Sequence, residues 1–285
     1  MGYIEEEDLE KRLNGIPDYI KYNIKDDFIE IKGLTVEGKK RKVVEIPGKI
    51  NGIIVKVIAS GAFHDRNEII HINLPNSIIM IGDYAFTKCT SLKKIVLPKN
   101  LEYIGENAFL GAKNLKHIKV GEKINHVGNS ALYGTEWLED NTDDYITLGN
   151  VLYKYQGKES NVVISENIVA INNWAFSNNM KIKYVTIKND KCFVAEGTFY
   201  QCINLKDILG LNGSIESFVF AYCKSLDYIA LKDVEYVGDY AFFMCEKLEQ
   251  IEEANKIYKE FLSGINEPEF NFVFLDRERF KEFYD

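Results

Sequence analysis

No stretch of this chain is apolar for long enough to cross a bilayer: Ile78 to Ile81 and Phe270 to Leu275 fall far short of the ~18 residues a spanning helix needs. Positive charge is also scarce. Lys and Arg number 35 against 43 Asp and Glu, a formal net charge of -8, and a protein held on nucleic acid through phosphate contacts needs the opposite balance. The one basic run, Lys39-Lys40-Arg41-Lys42, precedes VVEIP and is expected at the exposed end of a hairpin rather than at a site for an anion. The opening MGYIEEEDLEKRLNG lacks a basic segment followed by an apolar one, and lacks an Arg- and Ser-rich pattern, so it does not read as a secretory or organelle leader. Glu6 stands where N-myristoylation needs Ser or Thr.

Chemistry-bearing motifs are missing as well. Histidines number 4, and no H-E-x-x-H, G-x-S-x-G, Gly-rich phosphate loop or Cys-His-Asn arrangement occurs. The 5 cysteines form no C-x2-C pair of the kind zinc sites use. Catalytic, cofactor and metal residues are therefore expected to be none. The carboxylates are scattered, as on any solvated surface. Against these absences, 46% apolar and 27% charged residues make a globular balance able to bury a substantial core.

What the chain does contain is a repeat. Ala62-Phe63, Ala85-Phe86, Ala108-Phe109 and Ala131-Leu132 follow one another at steps of 23 residues. The series resumes at Ala175-Phe176, Thr198-Phe199, Val219-Phe220 and Ala241-Phe242, with steps of 23, 21 and 22. A fixed period of this size marks a solenoid. From each Phe the same apolar set recurs, as in Leu92, Ile95 and Leu97, then Leu115, Ile118 and Val120. L-x-x-I-x-L is a bend followed by a short strand with alternate side chains inward. Pro75, Pro98 and Gly121 end the strand, and a Gly (Gly82, Gly105, Gly128, Gly238) marks the next corner. No single turn buries its own apolar face, so equivalent strands must stack ~4.8 Å apart in a parallel ladder. Cys89, Cys202, Cys223 and Cys245 share the position three after the Phe, where Ala112 and Thr135 also occur; a column of small, buried, reduced thiols is expected there. Cys192 is off this pattern and is expected to be exposed.

The unit I-G-x-x-A-F-x-x-C-x-x-L-x-x-I-x-L-P resembles the leucine-rich repeat of the BspA-like class, from about Val43 to Ile251. The resemblance implies a right-handed horseshoe or arc, mostly β and loop with short helical turns, whose parallel β-sheet lines the concave face. It also implies a bacterial or protist protein, often of the cell surface, engaged in adhesion. On this reading residues 1–42 form an N-terminal cap with a helix near Glu6 to Leu13, 43–251 are the solenoid of about eight turns, and 252–285 are a C-terminal cap of helix, strand and helix. Tyr145 to Leu148 and Val151 to Tyr155 flank Gly149-Asn150 in an inserted hairpin within 139–164, which either shapes a binding surface or is plain decoration.

A solenoid usually binds through the outward positions of its concave strands. Read eight and ten residues after each Phe, these are His71 and Asn73, Lys94 and Val96, His117 and Lys119, Tyr184 and Thr186, Asp207 and Leu209, Tyr228 and Ala230. The candidate partner-binding set is His71, Lys94, His117, Lys119, Tyr184, Asp207 and Tyr228, a face that grades from basic through aromatic to acidic. The expected function is a non-catalytic module, monomeric, that recognises a protein of a host or cell surface, or a glycan. Nucleic acid, membrane insertion and cofactors are not expected. The alternatives are a structural spacer, and an enzyme whose site lies in the insertion at Asp143, Asp144 and Tyr145. Location is cell surface or secreted if a signal peptide has been removed, and otherwise cytoplasmic.

Overall fold

The computed structural model describes residues 17–229 and 234–248. The helices and strand expected beyond Leu248, and the helix near Glu6 to Leu13, lie outside the described residues. The chain divides into two compact units: among the described residues, one comprises 17–142 with 147–151, and the other 143–146 with 152–248. Each is a stack of solenoid turns, about nine in all.

Each turn contributes to two parallel ladders. In the first unit the strands that follow each bend, Val43–Glu45, His71–Asn73, Lys94–Val96 and His117–Lys119, form the long ladder. Its central residues Val44, Ile72 and Ile95 point into the core, since side chains alternate along a strand. Ile53–Ile58, Met80–Ile81, Tyr103–Ile104 and His126–Val127 form the short ladder, with Ile58, Ile81, Ile104 and Val127 inward. The second unit repeats the scheme. Its long ladder is Asn161–Ile164, Tyr184–Ile187 and Asp207–Leu209. Its short strands are Ala170–Ile171 and Phe193–Val194, with Gly213–Ile215 pairing Val234–Val237.

The bend around each Phe is a third hydrogen-bonded wall. The N–H groups of Tyr84, Phe86 and Lys88 donate to the carbonyls of Glu106, Ala108 and Leu110 in the next turn, at 2.8, 2.7 and 2.7 Å. Trp174, Phe176 and Asn178 do the same toward Glu196, Thr198 and Tyr200. To aim its donors this way the bend holds the residues two before and two after the Phe in the left-handed region, for example Tyr84 and Lys88, both at φ 57°. At the corner before it, a Cβ on Gly82 would lie 2.6 Å from the backbone nitrogen of Ser60, so successive turns approach too closely there for any side chain.

Inside each bend the phenyl rings stack. Phe63, Phe86 and Phe109 lie 5.2 and 5.1 Å apart and nearly parallel, after which Leu132 takes the place of the ring. The second unit builds its own series, Phe176, Phe199, Phe220 and Phe242, at 5.0, 5.6 and 5.5 Å. Each unit thus carries its own ring stack. Below the rings the thiols of Cys89, Cys202, Cys223 and Cys245 donate to the carbonyls of Phe63, Phe176, Phe199 and Phe220, one turn back. All five cysteines are free and buried. Cys192 is a correction: it heads the second apolar pair of its turn, with Val194, and is 6% exposed.

The inserted hairpin is present, with Gly149 at φ 58° in its turn. It is not decoration, because Tyr155 sits 4.8 Å from Phe176 as the first ring of the second stack and Tyr145 covers it edge-on at 5.0 Å. The first unit opens on an equivalent device, an antiparallel hairpin of Ile20–Ile24 and Ile29–Leu34 whose second strand pairs in parallel with Ile53–Ile58. The basic run is a second correction. It is no hairpin tip but a 3-10 turn, Gly38–Lys40, closed by the Gly38 N–H donating to Thr35 Oγ1 at 3.2 Å. The Arg41 guanidinium lies over the Tyr19 ring, 3.9 Å from its centroid. The α-helix among the described residues is a single turn, Glu136–Glu139, whose N-cap Thr135 accepts the Leu138 N–H at 3.3 Å.

Candidate functional site

Parallel register fixes which side chains share a row on the outward face of the long ladder. In the first unit Val43, His71, Lys94 and His117 form one row. Glu45 with Asn73, and Val96 with Lys119, pair in the other. Lys94, His117 and Lys119 are exposed and His71 is half-buried. The half-burial has a cause: His71 Nε2 shares a hydrogen bond with Asn73 Oδ1 at 2.7 Å, and Asn73 Nδ2 donates to Glu45 Oε1 at 2.5 Å. This end of the face is therefore internally satisfied. The cationic end is open, since neither Lys94 nor Lys119 has an ion pair among the described residues, whereas neighbouring Lys116 is held by Glu136 and Asp140 at 2.7 and 3.0 Å.

In the second unit Asn161, Tyr184 and Asp207 form one row, and Val163, Thr186 and Leu209 the other. Tyr228 follows one turn on, where the Asp227 N–H donates to the Lys206 carbonyl at 3.1 Å as Lys206 does to Lys183. Tyr184 is 44% and Tyr228 56% exposed, with Val163 and Leu209 nearly half exposed beside them. Asp207 between the tyrosines is half-buried, and its Oδ1 is shut from solvent without a hydrogen-bond partner among the described residues. Burial pushes its carboxyl above the usual range; the Ile208 N–H pulls it back and the Asp227 charge adds to the rise.

All seven sequence-predicted residues thus lie on outward positions, four Lys or His residues in one unit and a Tyr-Asp-Tyr series in the other. Sequence reading missed Val43 and Glu45 at the start of one face, and Asn161 and Val163 at the start of the other. The signal was present, because Val43-Val44-Glu45 and Asn161-Val162-Val163-Ile164 alternate as their neighbours do, but neither follows an Ala-Phe pair. The short ladder also carries an unforeseen pair, Tyr103 and His126, stacked at 4.3 Å. Burial lowers the His126 pKa, while the Asp83 and Glu106 charges oppose the drop.

The insertion brings no nucleophile and base together among the described residues: Gln156 binds the backbone carbonyls of Asp143 and Asp144 at 3.1 and 3.0 Å, and Tyr145 is occupied with Tyr155. No group of three or more His, Cys, Asp or Glu residues is arranged to hold a metal among the described residues. No helix among them is long and apolar enough to cross a membrane.

A stack of 21–23-residue turns, with Phe columns, thiols below four of the bends and a parallel ladder after each bend, defines a leucine-rich repeat protein. The chain belongs to the family described as the BspA type leucine rich repeat region, whose model matches in 6 copies over residues 42–156 and 146–263. Leucine-rich repeat regions are typically protein-interaction modules and are usually non-enzymatic. Among solved structures, the chain is 20% identical to a leucine-rich repeat protein of T. pallidum, covering 85% of this chain and 93% of that one at a TM-score of 0.39. It is 20% identical to a leucine-rich repeat protein from Bacteroides ovatus (81% and 80% covered, TM-score 0.36). It is 18% identical to the pneumococcal vaccine antigen PcpA (79% and 77% covered, TM-score 0.31). No curated protein sequence matches the chain.

Proposed function

We propose that the protein is a non-catalytic recognition module that binds a protein partner through the outward face of its long ladders. The observation that supports this reading most is the second unit's face, where Tyr184, Tyr228, Val163 and Leu209 all stand substantially exposed on a rigid, register-locked sheet. Sheets facing water normally put polar residues outward. Aromatic residues fixed on a rigid frame supply contact area at low entropic cost and dominate interface energetics. Lys94 and Lys119 would add a cationic patch that steers association more than it tightens it.

The test is binding of the immobilised chain to purified extracellular matrix proteins, repeated with a Tyr184→Ala/Tyr228→Ala variant and a Lys94→Glu/Lys119→Glu variant. A partner whose affinity falls at least about tenfold with the tyrosine pair supports the face. The lysine pair is expected to act mainly on the association rate and its salt dependence. Binding indifferent to both variants, with far-UV circular dichroism unchanged, removes the ladder face from the reading.

A further inference from the structure

Asp207 is the one residue on these rows whose setting is hard to account for by the fold alone. Tyr184 is its partner in the parallel ladder, about one strand spacing away (~4.8 Å between backbones), and Tyr228 follows one turn on, next to the Asp227 N–H that donates to the Lys206 carbonyl. A repeat that needed only a solvated filler there could place Lys or Asn, as it does at Lys94 and Asn161. Instead a carboxylate stands between two tyrosines with Oδ1 out of solvent and without a partner among the described residues. Lys183 and Lys206 are on the adjoining edge, yet neither forms an ion pair with it among the described residues. Asp227 adds a second negative charge close enough to act on Asp207. Val163 and Leu209 flank the position in the other row, 49% and 48% exposed.

A carboxylate with one orphaned oxygen, in line with two exposed tyrosines and near a second negative charge, is complemented by a cation whose donors face the carboxylate while its plane or stem lies against the rings. We propose that this face of the second unit seats an arginine or lysine side chain of an extended protein segment, with Asp207 as counter-ion, Tyr184 and Tyr228 as walls, and Val163 and Leu209 receiving the segment's apolar neighbours. The proposal rests on the ladder-face reading above and names what that face selects. A neutral segment leaves the charge without a counter-ion and an acidic one adds repulsion from Asp207 and Asp227, so selectivity comes from the cost of the wrong partner as much as from attraction to the right one.

The probes are three peptides, acetyl-Val-Arg-Val-Arg-Val-amide and its citrulline and glutamate counterparts, titrated calorimetrically against the full chain at fixed salt. The arginine peptide should bind at least about tenfold more tightly than the citrulline one, and the glutamate peptide should not bind. Asp207→Asn, which keeps shape and removes charge, should abolish the arginine preference, and Tyr184→Ala/Tyr228→Ala should weaken all binding. A partner lost with the tyrosine pair but indifferent to Asp207→Asn leaves the ladder face in place and overturns the cation seat. Arginine-peptide binding unaltered by both variants overturns both. Equal affinity for arginine and citrulline peptides, or no binding of either, overturns the seat.

Discussion

The two units are built on one plan and written in different surface alphabets. Each stacks Phe rings about 5 Å apart and donates bend N–H groups from one turn to the next. Their long-ladder faces share a register but not a chemistry: His71, Lys94, His117 and Lys119 in the first, Tyr184, Asp207 and Tyr228 in the second. Inward positions answer to packing density, which tolerates little variation. Outward positions answer less strictly to the fold, through cross-strand contacts such as Asn73 with Glu45, so their divergence is where a difference in partner would be recorded.

The comparison is broken most directly at the ring stacks. Phe86 and Phe199 are each fully buried between two parallel rings, so Phe86→Ala and Phe199→Ala should cost about 3–5 kcal/mol apiece. Hydrogen exchange should show protection falling first within the unit that carries the change; a loss spread evenly over both would erase the division. Tyr155→Ala tests the hairpin's role. It removes the first ring of the second stack, uncovers Phe176 and should cost about 3 kcal/mol or more by denaturant unfolding. A cost near zero would return the hairpin to decoration.

The thiols sharpen the likeness of the cores. Desolvation pushes Cys89 and Cys202 up to about 12 and Cys192 to about 11, and raises Cys223 well above the ordinary value of 9.0. A group whose pKa is raised by folding contributes stability that is complete below the unfolded value and is lost as pH rises. The melting temperature should therefore fall from about pH 9 upward, as the unfolded chain releases thiol protons that the folded chain retains. Cys202→Ala should flatten that fall, and a thiol reagent at pH 8 should label the native protein no faster than it opens. Rapid labelling of Cys192 alone would reinstate its expected exposure.

Much of this was legible because the repeat is redundant. A residue type that returns at one offset, such as Phe63, Phe86 and Phe109, states its own environment, and the thiol column follows from Cys alternating with Ala112 and Thr135. The alternation within L-x-x-I-x-L was enough to place all seven candidate residues outward. What redundancy could not reach were the unique parts. Lys39 to Lys42 read as a hairpin tip because charge says nothing of Thr35 closing a turn. Tyr155 was hidden because no Ala precedes it, and a ring's place in a stack is a tertiary fact. Asp207 reads in the sequence as one more polar residue, since the burial of a single oxygen is a tertiary fact.

The smallest expected effect concerns the bends, where the units differ in how they meet the same backbone demand. Two residues after the Phe position the first unit holds Asp65 and Lys88 at φ 56° and 57° and then Gly111 and Gly134 at 66° and 72°, whereas the second uses no Gly there and holds Asn178, Gln201, Tyr222 and Met244 at φ 56–63°. A side chain there costs ~1 kcal/mol for an L-residue in the left-handed region. Space is not the constraint, because a Cβ on Gly111 would meet only Lys88 Cγ at 3.6 Å, an ordinary contact. Gly111→Ala should therefore cost about 1 kcal/mol, for conformation alone. Gln201→Gly should gain somewhat less, since the freer glycine chain also lowers the energy of the unfolded state. Chemical denaturation of the pair decides it: if Gly111→Ala is neutral, the bend's left-handed backbone exerts no demand of its own, and the second unit's use of Asn, Gln, Tyr and Met in that place carries no penalty to explain.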